Sequence, residues 1–285
     1  VRMVMAARRA MPYSVPLHLF GAGHPLTLPL SVALGCDTFD SASYVLFARK
    51  GRYMTERGTL ILEEMTYLPC SCPTCNSTTK EELVLMERTE RVTKLSLHNL
   101  HLLRQDVLRC KEAISEGRLW DLVEERAAAH PRVMSAFREM ARNSDWLASG
   151  TPFLKERGLL MRSEVDESRP EIATARAHLT PLLRKRSSGA VIVLSEGERP
   201  LSKSAVYPRL ERLMKETRYD IYKLHQQLGP YPAELEFVYP FTQTVTDGLS
   251  SSTQVREAVR RLRGMGYSSI LLCGRDRTRI VKTRA

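Results

Sequence analysis

The chain has 285 residues, 43% of them hydrophobic, and a formal net charge of +11. That length fits one large domain or two to three small ones, and the apolar share is enough for real cores, which excludes a disordered or fibrous chain. No run approaches 18 consecutive apolar residues, so a helical membrane span is excluded and the positive charge points to a nucleic acid.

In chain order, residues 12–20, PYSVPLHLF, predict a short buried strand that runs into the glycine-broken GAGHP. LTLPLSVALGC predicts a helix closed near Gly35, and DTFDSASYVLFARKGRY a second strand-like segment. Strand, glycine-rich loop, helix and strand in that order predict parallel βα units. In parallel barrels the chemistry sits at the C-terminal ends of the strands, which directs attention to residues 18–23 and to Asp37 and Asp40. GRYMTERGTLILEEM alternates on both sides of Glu56-Arg57-Gly58, a hairpin pattern.

The hairpin leads into LPCSCPTC, residues 68–75. Of six cysteines, Cys36, Cys110 and Cys273 are isolated, so no disulfide framework is predicted. No apolar signal segment is read at the N-terminus, and the chain is expected in the reducing cytoplasm, where clustered thiols bind metals or do redox work. Redox CxxC pairs usually open a helix after a strand. Cys72 and Cys75 instead sit among Pro69, Ser71, Pro73 and Asn76, a knuckle-like loop that favours metal. A structural zinc asks for four N or S donors, so three sulfurs need one more. His98 and His101 in LSLHNLHLL both stand within reach, and spacing alone does not choose between them. STTKEEL carries a Thr78-x-x-Glu81 capping box for one helix, and a second is expected from about residue 98 to Gly117.

LWDLVEERAAAHP predicts a helix that stops at Pro131, and residues 132–179 read as mostly helical and polar. Ser149-Gly150-Thr151-Pro152 suggests a boundary near 150, and residues 190–194 a strand behind the basic Arg184, Lys185 and Arg186. STQVREAVRRLRGMG predicts a helix capped by Gly264 or Gly266, followed by the strand YSSILLCG. From residue 256 onward nine Lys or Arg stand against Glu257 and Asp276, a face suited to a phosphate backbone.

PLHLFGAGHP, ALGCDTFDSASY, GRYMTERGTLILEE, PCSCPTC followed by HNLH, and YPFTQ together resemble the archaeal tRNA-guanine transglycosylases, the archaeosine branch of that family. The likeness spans nearly the whole chain and is strongest over residues 16–131. It implies a structural zinc on Cys70, Cys72, Cys75 and His98, with His101 the fallback. It also implies a nucleophile at Asp40, the second acid of CDTFDS, while Asp37 is read as a loop-bonding acid. Exchanging one base on a ribose for another with retention needs two displacements through a covalent intermediate, hence a carboxylate. By the same resemblance Phe20 would lie over the base, its alternative being a core aromatic, and Gly21 and Gly23 would let backbone approach the ligand.

The implied activity is exchange of guanine 15 of tRNA for preQ0. Only 39 residues precede Asp40, enough for the last two strands of a barrel that takes about 250 residues. The fold expected is therefore α/β: the C-terminal portion of a TIM (β/α)8 barrel with a zinc-binding insert over residues 1–150. An α+β accessory domain follows over 151–230, and a basic α+β tRNA-binding module with Arg260, Arg261 and Arg263 over 231–285. The expected partners are tRNA, the guanine or preQ0 base, and a chain or segment that supplies the rest of the barrel with its second catalytic aspartate. A homodimer stays open. So do two other readings, an archaeosine synthase-type paralogue that needs no glycosidic nucleophile and a non-catalytic, zinc-stabilised tRNA-binding subunit.

Overall fold

Residues 1–194, 200–216, 218–241, 243–246, 251–274 and 278–282 are described by a computed structural model. The chain forms two units, Val1–Asn143 and Ser144–Ala285.

The first unit opens with α1 (Arg2–Ala10), β1 (His18–Leu19), α2 (Leu28–Ala33) and β2 (Thr38–Phe39). β1 and β2 pair in parallel, His18 opposite Thr38 and Leu19 opposite Phe39, with α2 in the crossover that a parallel pair requires. The strand expected over 12–20 shrinks to these two half-exposed residues. Pro12 and Pro16 have no N–H to give to a ladder, and residues 12–16 are exposed. Buried Arg8 holds this stretch instead, its guanidinium donating to the carbonyls of Met11, Pro12 and Val15.

The second strand-like segment is also corrected, since after Phe39 the chain enters α3 (Ser43–Arg49). The Ser41 hydroxyl accepts the Ser43 N–H at the helix start, and Tyr44, Phe47 and Ala48 fall on one helical face. The predicted hairpin is present as β3 (Arg52–Thr55) and β4 (Gly58–Ile61), turning at Glu56-Arg57. Tyr53 pairs with Leu60, and Tyr53, Ala48, Leu62, Met65, Leu83 and Leu95 form one core.

Short helices α4 (Pro73–Asn76) and α5 (Lys80–Leu85) precede the long α6 (Arg88–Ser115), then α7 (Leu119–Ala128) and α8 (Pro131–Ala141). The capping box lies one residue later than expected. Thr79 and Glu82 exchange the reciprocal bonds, because the Thr78 hydroxyl is buried and accepts from the Lys94 ammonium. α6 begins at Arg88 rather than near residue 98, with the Glu87 carboxylate accepting the Thr89 and Glu90 amides at its N-terminus.

The second unit contains α9 (Ser144–Ser149), β5 (Leu159–Leu160), α10 (Pro170–Leu182), β6 (Gly189–Val193) and α11 (Tyr207–Glu216). It continues through β7 (Tyr219–His225), β8 (Gly229–Pro232), β9 (Thr244–Val245), α12 (Ser252–Gly264), β10 (Ser269–Cys273) and β11 (Thr278–Lys282). Five strands form a sheet in the order β11-β10-β6-β7-β8, with β10, β6 and β7 parallel and the outer two antiparallel. Alternate residues of β6 point to opposite faces. Ala190 and Ile192 pack with Ala258, Val259 and Leu262 of α12, and Val191 and Val193 with Leu210 of α11.

The two small α+β modules expected over 151–230 and 231–285 thus contribute strands to one α/β sheet, because parallel neighbours need helical crossovers and here those helices cover both faces. Of the two candidate caps for α12, Gly266 takes the left-handed conformation, with φ +86°. Thr242 of YPFTQ and Arg275, Asp276, Arg277 and Arg284 of the basic terminus lie outside the described residues.

Candidate active site and metal centre

Asp40 directly follows β2, and Phe20 and Gly21 follow the parallel β1, so all three sit at the C-terminal ends of the strand pair. The Gly21 N–H donates to Asp40 Oδ1 at 2.8 Å, and His18 Nε2 meets the same oxygen at 3.2 Å. Gly21 has φ +69°, a conformation that costs glycine little and turns the amide toward the carboxylate. That amide holds the Asp40 carboxyl below its ordinary pKa, with the His18 contact adding to the effect. Asp40 is thus a carboxylate at neutral pH. On its other side the His18 ring meets Thr38 Oγ1 through Nδ1 at 2.8 Å.

Phe20 is 84% exposed in this chain, and its ring lies 6.5 Å from that of His18. Gly23 serves a close approach: a Cβ there would fall 2.2 Å from Ser41 Cβ. The Ser43 hydroxyl donates to the Gly23 carbonyl at 2.7 Å, so the loop after β1 is fastened to the start of α3. Asp37 does the loop work read for it, accepting the Leu17 N–H at 2.7 Å and facing Arg8 at 3.6 Å.

Cys70, Cys72, Cys75 and His98 bring one ligand atom each to within 4.8 Å of one another. His98 Nδ1 lies 3.5 Å from Cys72 Sγ and 3.4 Å from Cys75 Sγ. A tetrahedron with ordinary zinc bond lengths places an N and an S donor about 3.6 Å apart, so the residues fit a small tetrahedral cation. His98 Nε2 donates to the Met54 carbonyl at 3.0 Å, which leaves Nδ1 for the metal. Tyr53 stacks on the imidazole with centroids 3.7 Å apart, and its hydroxyl lies 3.2 Å from Cys75 Sγ. Burial pushes the Cys75 thiol up to about 12, raises Cys70 and lowers His98. Burial thus keeps the imidazole neutral, as ligation requires, while those two thiols need a cation to ionise. His101 is exposed, so geometry makes the choice that spacing left open.

The sequence alone did not mark Asn99. Fully buried beside His98, it accepts the Met54 N–H at 2.9 Å and donates to the carbonyls of Tyr44 and Arg52 at 3.0 and 3.2 Å. Its signal is only a polar residue between two histidines. Arg260, Arg261 and Arg263 do not form one free row. Arg260 pairs with Glu257, half-buried Arg261 donates to the Leu228 carbonyl at 3.4 Å, and Arg263 is exposed.

The family model described as queuine tRNA-ribosyltransferase matches residues 1–132. The chain is 36% identical to the tRNA-guanine(15) transglycosylase of Aeropyrum pernix, the match covering 96% of this chain and 56% of that protein. It is 38% identical to the protein of the same name from Methanopyrus kandleri, over 84% of this chain and 50% of that one. The relative from Thermococcus onnurineus is 43% identical over 62% of this chain and 30% of its own length. The chain therefore spans about half the length of the first two of these relatives. The matched region, residues 1–132, contains the Asp40 loop and all four residues of the cysteine–histidine cluster, and it is over this region that the chain is similar to the queuine tRNA-ribosyltransferase family.

Proposed function

We propose that this chain carries the nucleophile and the zinc centre of a tRNA-guanine transglycosylase that exchanges guanine 15 of tRNA for preQ0. The observation that carries the reading is the Asp40 carboxylate, ionised and held by the Gly21 amide at the C-terminal ends of the parallel pair. In the first displacement a carboxylate oxygen of Asp40 bonds to the anomeric carbon as the C–N bond breaks, and that bond's electron pair leaves with guanine. In the second the incoming base attacks the same carbon and the pair of the C–O bond returns to Asp40, which retains the configuration. The departing base gains one proton and the incoming base gives one up, so the exchange balances.

Phe20, exposed beside His18, would stack on the purine, and the Gly21–Gly23 backbone would line its edge. One structural zinc on Cys70, Cys72, Cys75 and His98 would clamp the β3–β4 hairpin to α6, since Met54 of the hairpin holds the His98 ring. Arg260, Arg261 and Arg263 would add phosphate contacts that position tRNA without reading its sequence. We read the β1–α2–β2 segment as the closing portion of a TIM barrel and place the protein in the cytoplasm. Among the described residues no helix is long and apolar enough to cross a membrane.

Exchange of radiolabelled guanine into tRNA tests the reading. The chain mixed with a polypeptide that supplies the remaining barrel strands should catalyse it, and the mixture with Asp40→Asn should not. The chain by itself should be inactive, because misplacing a reacting group by about 1 Å already costs on the order of a hundredfold in rate. Exchange that survives Asp40→Asn would overturn the assignment.

A further inference from the structure

The two contacts on Asp40 fall on one oxygen. Oδ1 takes the Gly21 N–H at 2.8 Å and faces His18 Nε2 at 3.2 Å, while Oδ2 takes neither. A carboxylate oxygen can only accept, so the His18 contact is a hydrogen bond when Nε2 carries the proton. Nδ1 is then the acceptor for the Thr38 hydroxyl at 2.8 Å, so the acceptor-only carboxylate sets the tautomer and the hydroxyl, which can rotate to donate, holds the ring in place. The register makes this possible, because His18 stands directly opposite Thr38 in the parallel pair, with Asp40 two residues further on.

We propose that His18 is a positioning residue for Asp40, oriented by Thr38, which keeps Oδ2 as the attacking atom and stabilises the carboxylate as it departs in the second displacement. The proposal rests on the reading of Asp40 as nucleophile. Its sign follows from charge. A donor on Oδ1 is strongest when the carboxylate is anionic and weakens when Oδ2 becomes an ester oxygen. It therefore makes Asp40 a slightly poorer nucleophile and a better leaving group. Without it, attack persists while release of the ribosyl group slows, so the covalent intermediate accumulates.

Two measurements test this. In the exchange-competent mixture, His18→Phe keeps a ring of similar shape and removes the donor. Release should slow by about tenfold, the cost of one hydrogen bond to a charged group. Under steady turnover the fraction of chain linked to tRNA after a denaturing quench should rise as exchange falls. Thr38→Val should shift both quantities in the same direction by less, and His18→Gln, which restores an N–H donor, should return them toward wild type. Adduct and exchange falling in equal proportion, or neither changing, would overturn the role of His18 while Asp40→Asn still abolishes both. Persistence of exchange in Asp40→Asn would instead sink the nucleophile reading. In the isolated chain, long-range proton–nitrogen NMR should find His18 protonated at Nε2 and bare at Nδ1, and the opposite tautomer would overturn the proposal without any assay of exchange.

Discussion

The Nε2–H of His98 donates to the carbonyl oxygen of Met54 at 3.0 Å, and that bond decides which ring nitrogen faces the three sulfurs. Met54 belongs to β3 and His98 to α6, so the metal set is assembled only when the hairpin has docked on the long helix. A metal bound by these four residues would therefore be coupled to the folding of this part of the first unit.

Replacing Cys72, the most buried of the three sulfurs, with Ser should abolish stoichiometric zinc and loosen the hairpin together. Metal analysis of the purified variant, paired with amide hydrogen exchange over residues 52–65, checks both. Zinc content equal to wild type would remove the four-ligand assignment. His101→Ala should keep its zinc, since His101 is exposed.

The clustering of the three sulfurs was legible in the local spacing, but the choice of histidine beside them was not. α6 begins at Arg88, in a polar stretch with no apolar stripe to announce a helix. Residues 98 and 101 lie only about 60° apart around the axis, as i and i+3 neighbours do, and only the tertiary packing shows which of the two turns inward. The parallel βα pair was legible from its glycines and apolar runs. Its strand lengths were not, because Tyr44, Val45 and Phe47 suit strands by propensity and are drawn into α3 by packing against α6. Asn99 escaped notice for a related reason: a polar residue in a helix reads as solvent-facing until three backbone partners are found around it.

The second unit should lose stability in mild acid through His225. Burial, with Arg176 nearby, depresses this imidazole to about 4, and its Nδ1 accepts the amides of Gln227 and Leu228 at 3.1 and 3.2 Å. An unfolded histidine titrates near 6.5, so between about 6.5 and 4 the unfolded chain binds a proton that the native one refuses. Stability therefore falls as pH drops through that window and is unaffected by this group above it. The loss should reach about 3 kcal/mol. Urea unfolding between pH 7.5 and 4.5 should show the decline, and His225→Asn, which keeps an acceptor for the two amides, should flatten it. An unchanged slope in that variant would assign the decline to other groups.

Changing Arg260, Arg261 and Arg263 together to Gln should weaken tRNA binding and reduce its salt dependence, because each phosphate contact releases a counterion. Arg261 should contribute least, since the residue is half-buried and its guanidinium donates to the Leu228 carbonyl. Filter binding across a salt series gives the slope. A slope equal to wild type would mean that this side of α12 touches no phosphate.

The covalent intermediate is the most direct test of Asp40 as the nucleophile. The exchange-competent mixture, quenched in denaturant during turnover with tRNA and digested, should yield a ribosyl-linked peptide whose modified residue maps to Asp40 by mass spectrometry, and Asp40→Asn should yield none. A linkage at any other residue, or full exchange with no linkage at all, would contradict the account.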